Sequence, residues 1–508
     1  MAYTVTTGSL FGAQSTRIQE VLNKNIEVFL PALDPAWRDT TVTSQGVGQA
    51  NLIGRDMKIL KIYMGSMAGV FEMADSRNNF VLFGDNTITN VADKLQTQGL
   101  TQTWPDATEG AMARPYRLGI GMKAMVSNLL VTLGEMQAEA TPAFIGEVLA
   151  PKLEGHARLI AQSLCNYWYI SDNTSYKLGT IPAASTAVWT AGSGSTPGYT
   201  TITFSPVEYN TDRYAVGMRV DLYNASDVRQ NEVNNVRTNA LVSKVDEVTN
   251  TVVVTVLNQN LSSLNAAFTN FYWTFANGRG YGIAGINSWL KATGNLLGGD
   301  YDSANAIDVD KHPEFKSFFK GSVGTLTEHK LRQYLRGFHR AKEKYGQSID
   351  TLIASDGVWL NYESQKIGQY MLDRTNRLSS LTNEGSQEGF KFSFDGRTYT
   401  GYTSNYIEDG TVYGIKKGGA NWKKYVPPSP KGTQKFDKAE AFIPFEFVGP
   451  ALGYSSVKVP ITKTVSGSGT SLLTEGAQMP GMLRMQLVPD QPAGLKLTGV
   501  TTDRQYGE

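Results

Sequence analysis

Residues 1 to 16 are small and polar, and the stretch "STRIQEVLNKNIEVFLPALD" then places Ile18, Val21, Leu22, Ile26, Phe29 and Leu30 at helical spacing. Ser15 or Thr16 can cap the start and Pro31 is expected to stop it, which predicts an amphipathic helix on a loose arm. From about Thr40 to Pro115 short strand-like pieces such as "RDMKILKIYMG" and "NNFVLFGDN" alternate with Gly, Asn and Asp turns around no single apolar nucleus, the pattern of an extended excursion. "YRLGIGMKAMVSN" returns as a strand. In "TPAFIGEVLAPKLEGHARLIAQSLCNYWYIS", Thr141 as cap and Pro142 at the first helical position open a long helix. Its face carries Phe144, Val148, Leu153, Ile160, Leu164 and Trp168. Pro151 should kink this helix or mark its real start.

Between residues 174 and 290 the chain turns rich in Thr, Val, Asn, Ser and Gly, and reads as a small separate β unit. In "VDEVTNTVVVTV" a Thr-Asn turn between alternating runs predicts a hairpin. "KATGNLLGGDYDSANAIDVDKHPEF" is a connector rich in glycine and aspartate. The next helix, over 325 to 345, puts Leu331, Tyr334, Leu335, Phe338 and Tyr345 on one face. Arg332, Arg336 and Arg340 form an i, i+4 row on another, extended by Lys330, Lys342 and Lys344. "SIDTLIAS" is a buried strand, Asp356 caps a following helix, and a run of short strands follows. Within that run "DGTVYGIKKGGANWKKYVPPSP" has the punctuation of strand, tight turn and strand. From about Ser466 a Gly-Ser-rich, Pro-punctuated tail is expected, and no repeat of fixed period occurs.

The chain's 508 residues suggest roughly three units. Its 51 glycines favour turns and strands over a helical bundle. With 47 Lys plus Arg against 46 Asp plus Glu, no global field draws it to nucleic acid or membrane. Cys165 is the lone cysteine, which excludes an intrachain disulfide and fits a reducing cytoplasm. The amino terminus lacks the basic start and apolar run of a secretory signal, and no apolar stretch reaches the length of about 20 residues that crosses a bilayer. A soluble protein is expected.

Catalytic chemistry finds little footing. "GYGIAG", residues 280 to 285, matches a dinucleotide glycine pattern with Asp300 and Asp302 downstream. The following "INSWLKATGNLLGGD" breaks too soon for a phosphate-facing helix, so a glycine-rich turn at a domain edge is the better reading. No Gly-Lys-Ser/Thr sequence occurs, and His156, His312, His329 and His339 have no metal-ligand spacing. Asp300, Asp302, Asp308 and Asp310 lack the central glycine and terminal glutamate of a calcium loop and read as a solvated acidic loop. Cys165 reads as a small buried hydrophobe. The row Arg332, Arg336, Arg340 is suited to phosphate contact without sequence reading, or equally to a solvated or intersubunit helix face. No catalytic residue, cofactor or metal is expected.

Taken in order, the elements resemble the major capsid proteins of tailed bacteriophages with the Hong Kong 97 fold. The likeness is carried by "YRLGIGMKAMVSNLLVTLGEMQAEATPAFIGEVLAPKLEGHARLIAQSL", by "LTEHKLRQYLRGFHRAKEKYGQSIDTLIASDGVWLNY", and by "FSFDGRTYTGYTSNYIEDGTVYGI" and "FIPFEFVGPALGYSSVKVPITKT". The resemblance implies an α+β fold with an amino-terminal arm at 1–40 and an extended loop at 41–125. A peripheral domain with its spine helix would span 126–173, 291–345 and 436–465, and an axial domain 346–435. The β unit at 174–290 would be an insertion and 466–508 a carboxy-terminal tail. It further implies that Tyr413, Trp422 and Tyr425 pack a domain while Lys416, Lys417, Lys423 and Lys424 face solvent or a neighbour.

The activity implied is assembly through hexamers and pentamers into an icosahedral shell around double-stranded DNA, in a virion built in the host cytoplasm. The implied partners are other copies, portal, scaffolding and decoration proteins, and DNA held without sequence specificity, with no membrane. Some members crosslink lysine to asparagine; Lys58, Lys61 and Lys94 lie in the expected loop, and no crosslink is expected from them. Competing readings are a tail or decoration component, a nanocompartment shell of the same fold, and a nucleotide-dependent enzyme built on "GYGIAG".

Overall fold

The computed structural model describes residues 10–37, 40–44, 56–64, 114–120, 123–132, 150–170, 176–193, 197–206, 211–233, 236–265, 267–280, 282–296, 307–372, 390–418, 421–426, 445–447, 461–464, 471–474 and 476–503. Helix α1 spans Leu10–Leu33 and helix α2 spans Ala150–Tyr169. Pro151 sits in the first turn of α2, where the missing N–H would have had no helical partner, so this proline marks a start and not a kink. Thr141, Pro142, Phe144 and Val148 lie outside the described residues.

Along α2, Leu153, Ala157, Ile160, Ala161, Leu164, Cys165 and Trp168 make one buried stripe. On it lies α1, through Leu22, Ile26 and Leu30. The expectation of a loose arm is therefore corrected: this helix finds its apolar partner within its own chain. Pro31 does not stop α1 either. It falls in the last turn, where it removes a single backbone bond, and the helix closes two residues later with the Asp34 N–H on the Leu30 carbonyl at 3.0 Å. Beyond it Trp37 tilts onto Trp168 at 4.7 Å between ring centroids, and Trp422 also tilts onto Trp168 at 5.1 Å.

Two sheets join this helical pair. The first is built on the 14-residue strand Gly476–Pro489, which pairs antiparallel with Lys123–Thr132, Phe445–Phe447 and Trp422–Val426, the last also parallel to Thr41–Ser44. The second runs Phe318–Lys320, Leu495–Leu497, Val412–Ile415, Thr351–Ala354, Arg397–Thr403, Phe390–Phe394. Here Thr351–Ala354 is parallel to one neighbour and antiparallel to the other. Its alternation divides two cores: Ile353 joins the α2 cluster, while Leu352 and Ala354 join the cluster under helices α3, Glu328–Lys342, and α4, Asp356–Leu372.

Two expectations fail in these sheets. The segment after Ser466 is no tail, because Met485, Leu487, Val488, Leu495 and Leu497 are fully buried and hold both sheets together. Glycine, serine and proline in that segment masked "LRMQLV", in which Met485, Gln486, Leu487 and Val488 are all buried, as a strand covered on both faces requires. Likewise "VYGIKKGGANWKKY" is no hairpin. Val412–Ile415 pairs in the second sheet and Trp422–Val426 in the first, so the Gly-Gly stretch crosses between sheets. Asp350 secures the start of the crossing, accepting the N–H groups of Lys417 and Gly418 at 2.7 and 2.8 Å.

The β unit is a seven-stranded antiparallel sheet in the order Lys177–Thr180, Tyr272–Phe275, Arg219–Tyr223, Ala240–Asp246, Thr251–Leu257, Tyr199–Phe204, Thr186–Thr190. Its entry and exit strands pair with each other, the topology of an inserted element. Val252, Val254 and Val256 point into its own core while Thr251, Val253 and Thr255 alternate outward. The expected hairpin is present, with Asn250 at φ 49° taking the left-handed position of its turn. Apart from this unit, Asp56–Met64 and Arg114–Ile120 form an antiparallel ribbon whose strands pair only with each other among the described residues. Lys58 and Lys61 lie on it, and Lys94 lies outside the described residues.

Removing the ring between Trp37 and Trp422 leaves a cavity at the meeting point of three chain segments. Trp168→Ala should lower unfolding stability by about 3–5 kcal/mol, against less than about 0.5 kcal/mol for Leu159→Ser on the exposed side of α2. Urea denaturation followed by tryptophan fluorescence checks both.

Candidate interaction surfaces

Helix α3 begins where the Thr327 hydroxyl accepts the Lys330 N–H at 3.3 Å. Leu331, Leu335 and Phe338 face the core, and Arg332, Arg336 and Arg340 are exposed along the outer side as the spacing predicts. The first two arginines are ordered by one ring, their guanidinium carbons lying 5.3 and 5.0 Å from the Phe394 centroid. Arg332 also pairs with Glu328. The expected extension of the row is corrected at two places. Lys330 turns back to the carbonyls of Val323 and Thr325, and Lys342 is buried on the Pro313 carbonyl, where desolvation pulls its ammonium down to about 8.

Lysines of the crossing segment also differ from expectation. Tyr413 and Trp422 are buried as expected, but so are Lys417 and Lys424. Lys417 donates to the Pro35 carbonyl at 2.7 Å over the Tyr402 ring, and Lys424 lies over the Trp37 ring. Lys423 pairs with Asp490 at 2.7 Å. Lys417 and Lys424 thus fasten the segment after α1 to the sheets instead of facing a neighbour. The side chain of Tyr425 lies outside the described residues.

Two polar junctions went unseen in the sequence. Asp34, fully buried, accepts the Ala36 N–H at 2.8 Å, the Tyr169 hydroxyl at 3.2 Å and the Ser404 hydroxyl at 2.9 Å. Burial raises its carboxyl to about 6 against the opposing pull of these donors and of Lys417. Arg213, also fully buried, donates to the carbonyls of Tyr406, Leu178 and Tyr169, tying the β unit to the body. A single Asp before a proline and a single Arg in "TDRYAV" carry no periodic signal, so only tertiary structure reveals them.

The remaining sequence candidates fall into structural places. An added Cβ at Gly282 would lie 2.3 Å from the Tyr176 ring, and one at Gly285 would lie 2.1 Å from the Tyr167 carbonyl oxygen. The glycines of "GYGIAG" thus admit the crossing at the end of α2, and the helix that follows, Ile286–Trp289, is a single turn. Cys165 is buried in the α2 stripe with its thiol pushed far up. His339 shares a buried network with the Tyr399 hydroxyl at 2.6 Å and Arg397, and burial beside that guanidinium lowers its basicity. His312 contacts Glu314 at 3.3 Å. Half-buried His156 lines a groove beside α2, and His329 lies on α3. Asp310 takes Lys316 at 2.8 Å, and Asp308 lies 3.9 Å from Lys311, while Asp300 and Asp302 lie outside the described residues. Among the described residues no group of acidic, histidine or cysteine side chains is arranged to hold a metal, and no helix is long and apolar enough to cross a membrane.

Asp34 gives the fold a pH dependence of definite sign. Its folded-state carboxyl titrates near 6 against an ordinary 3.8. The folded state therefore holds the extra proton between those values, and the stability contributed by this group falls as pH rises from about 4 to about 6. The difference in unfolding free energy between the wild type and Asp34→Asn should drop by about 3 kcal/mol across that window. Urea midpoints at pH 4, 5, 6 and 7 read it; parallel curves for the two proteins would contradict the assignment.

No family model matches the chain, and no curated protein sequence does. Among solved structures, the chain is similar to one described as the cyanophage A-1(L) capsid asymmetric unit at 10% identity, covering 93% of each chain with a TM-score of 0.39. It is also similar to one from the satellite phage P4 procapsid including size determination (Sid) protein, at 6% identity over 97% of this chain and 91% of that one, TM-score 0.32. A third similar structure is the holo-SrpI encapsulin complex from Synechococcus elongatus PCC 7942, at 12% identity over 37% of this chain and 55% of that one, TM-score 0.20. Both of these structures that span nearly the whole chain come from phage capsid assemblies.

Proposed function

We propose that the chain is a major capsid protein of a tailed phage, a subunit that assembles through hexamers and pentamers into an icosahedral shell around double-stranded DNA. The observation that supports this most is the ribbon Asp56–Met64 with Arg114–Ile120, whose strands pair only with each other among the described residues. A nine-residue strand extends about 30 Å, and a two-stranded ribbon is marginally stable in water without a surface to cover it. Laid over a neighbouring copy, it gains that surface, and folding of the ribbon becomes linked to association. Closed rings of such contacts accumulate weak interfaces into a stable shell. The order of elements carries the same reading: a long helix, an inserted β unit, a basic helix and a mixed sheet, as in the Hong Kong 97 fold.

On this reading the chain performs no catalysis and needs no cofactor. Its partners are further copies, portal, scaffolding and decoration proteins, and packaged DNA. The exposed row Arg332, Arg336, Arg340 is the face offered to phosphate or to a neighbouring subunit. Assembly belongs to the virion capsid built in the host cytoplasm.

Electron microscopy of the purified protein, with light scattering across salt concentrations, tests the reading. Closed shells, hexamers or pentamers are expected. A compact monomer under every condition, and in the presence of the cognate phage proteins, would overturn it. Replacing Met57–Gly119 by a short Gly-Ser link should keep the helical body folded by circular dichroism while abolishing assembly.

A further inference from the structure

A groove of about 720 Å³ runs between α2 and the β unit. Apolar side chains form its lips: Leu159 on the helix is 50% exposed and Val216 on the β unit 64%. Among the described residues no carboxylate lines it, although Arg219 and Arg237 do. Arg219 is exposed. Arg237 spends its Nε on Asp221 at 2.6 Å, and its buried Nη2 has no hydrogen-bond partner among the described residues. The opposite wall carries the complementary deficit. Asn166 is 1% exposed, its Nδ2 donates to the Arg213 carbonyl at 3.0 Å, and its buried Oδ1 accepts from nothing among the described residues.

A buried acceptor and a buried donor left unmatched each weaken the fold until a partner meets them. What answers both is a chain that brings N–H groups and oxygens together. Backbone amides can meet Asn166, a carboxylate can meet Arg219 and the unmatched Nη2 of Arg237, and an apolar side chain can cover Leu159 and Val216. A nucleic-acid phosphate would meet the arginines but leave the amide acceptor and the apolar lips unanswered. The occupant is therefore an acidic peptide containing an apolar residue.

Such a peptide occurs in the chain itself. Residues 298–310, "GGDYDSANAIDVD", hold four aspartates with no lysine or arginine. Asp310 is already engaged by Lys316 and the Gly294 N–H. Asp300 and Asp302 flank Tyr301, an aromatic side chain between two carboxylates. We propose that the groove receives the Asp300-Tyr301-Asp302 stretch of a second copy of this chain, so that α2 and the β unit of one copy form a socket for its neighbour. This rests on the shell reading, which supplies the adjoining copy. A groove on one copy that receives a different stretch of the next copy makes a head-to-tail contact, the kind that closes rings.

A fluorescein-labelled peptide of residues 298–307, titrated into unassembled wild-type protein and followed by anisotropy, tests the socket. Binding should weaken with salt and fall at least tenfold for Arg219→Glu, with Val216→Asp as a second variant on the lip. A peptide carrying Asp300→Lys and Asp302→Lys should lose binding to wild type and regain it with the Arg219→Glu protein. Unchanged binding by variants with wild-type circular dichroism and melting would overturn the proposal, as would equal binding of a scrambled peptide, which would reassign the groove to acidic peptides of any origin. Peptide binding that depends on Arg219 with no shell under the microscope would remove the shell reading and leave the socket. Shells whose yield ignores Arg219→Glu, Val216→Asp and the peptide reversal would do the opposite.

Discussion

The indole of Trp168, held between Trp37 and Trp422, is the contact through which the rest of the body is organised. It joins the segment after the first helix, the end of the long helix and a strand of the first sheet, three places far apart in sequence. Apolar burial supplies the drive, and the ring shapes fix the geometry. Once Trp168 is placed, its neighbours Cys165 and Tyr169 follow on the same helical turn, and Asp34 meets the Tyr169 hydroxyl. The polar network is therefore a consequence of the aromatic one.

Elements whose apolar residues repeat with a local period were readable before any coordinates. The stripe of α2, the outer arginine row of α3, the buried Thr351–Ala354 strand and the Val252, Val254, Val256 alternation all follow from periods of 3.6 or 2. What resisted reading was pairing between distant segments. "VYGI" and "NWKKY" look like two arms of a hairpin because they are close in sequence, yet each has a better partner elsewhere, Thr351–Ala354 for one and Pro489–Gln486 for the other. Lysine was misjudged for a related reason. Lys417 and Lys424 read as solvated charges, whereas their stems bury against rings and their ammonium groups reach a carbonyl or an indole face.

Among the surfaces, the exposed arginine row was legible because charge at i, i+4 spacing needs no tertiary information. The groove beside the long helix was not. Leu159 breaks the α2 stripe as an outward leucine, and Val216 sits in a loop beside a glycine, so each looks like an isolated apolar residue on a surface. Only the docking of the β unit, held by Arg213 on three carbonyls, brings them to opposite lips.

Both body sheets draw strands from the last tenth of the chain, Gly476–Pro489 in one and Leu495–Leu497 in the other. A ribosome releases the amino-terminal end first, so α1, α2 and the β unit emerge while the strand that the first sheet is built upon is still being made. The body cannot close until those strands have been made. A chain that stops before Gly476 is left with open sheet edges and an uncovered Trp422. Both sheets therefore depend on strands that lie far along the chain from most of the strands they pair with, so their closure follows the folding of the helical pair and the β unit.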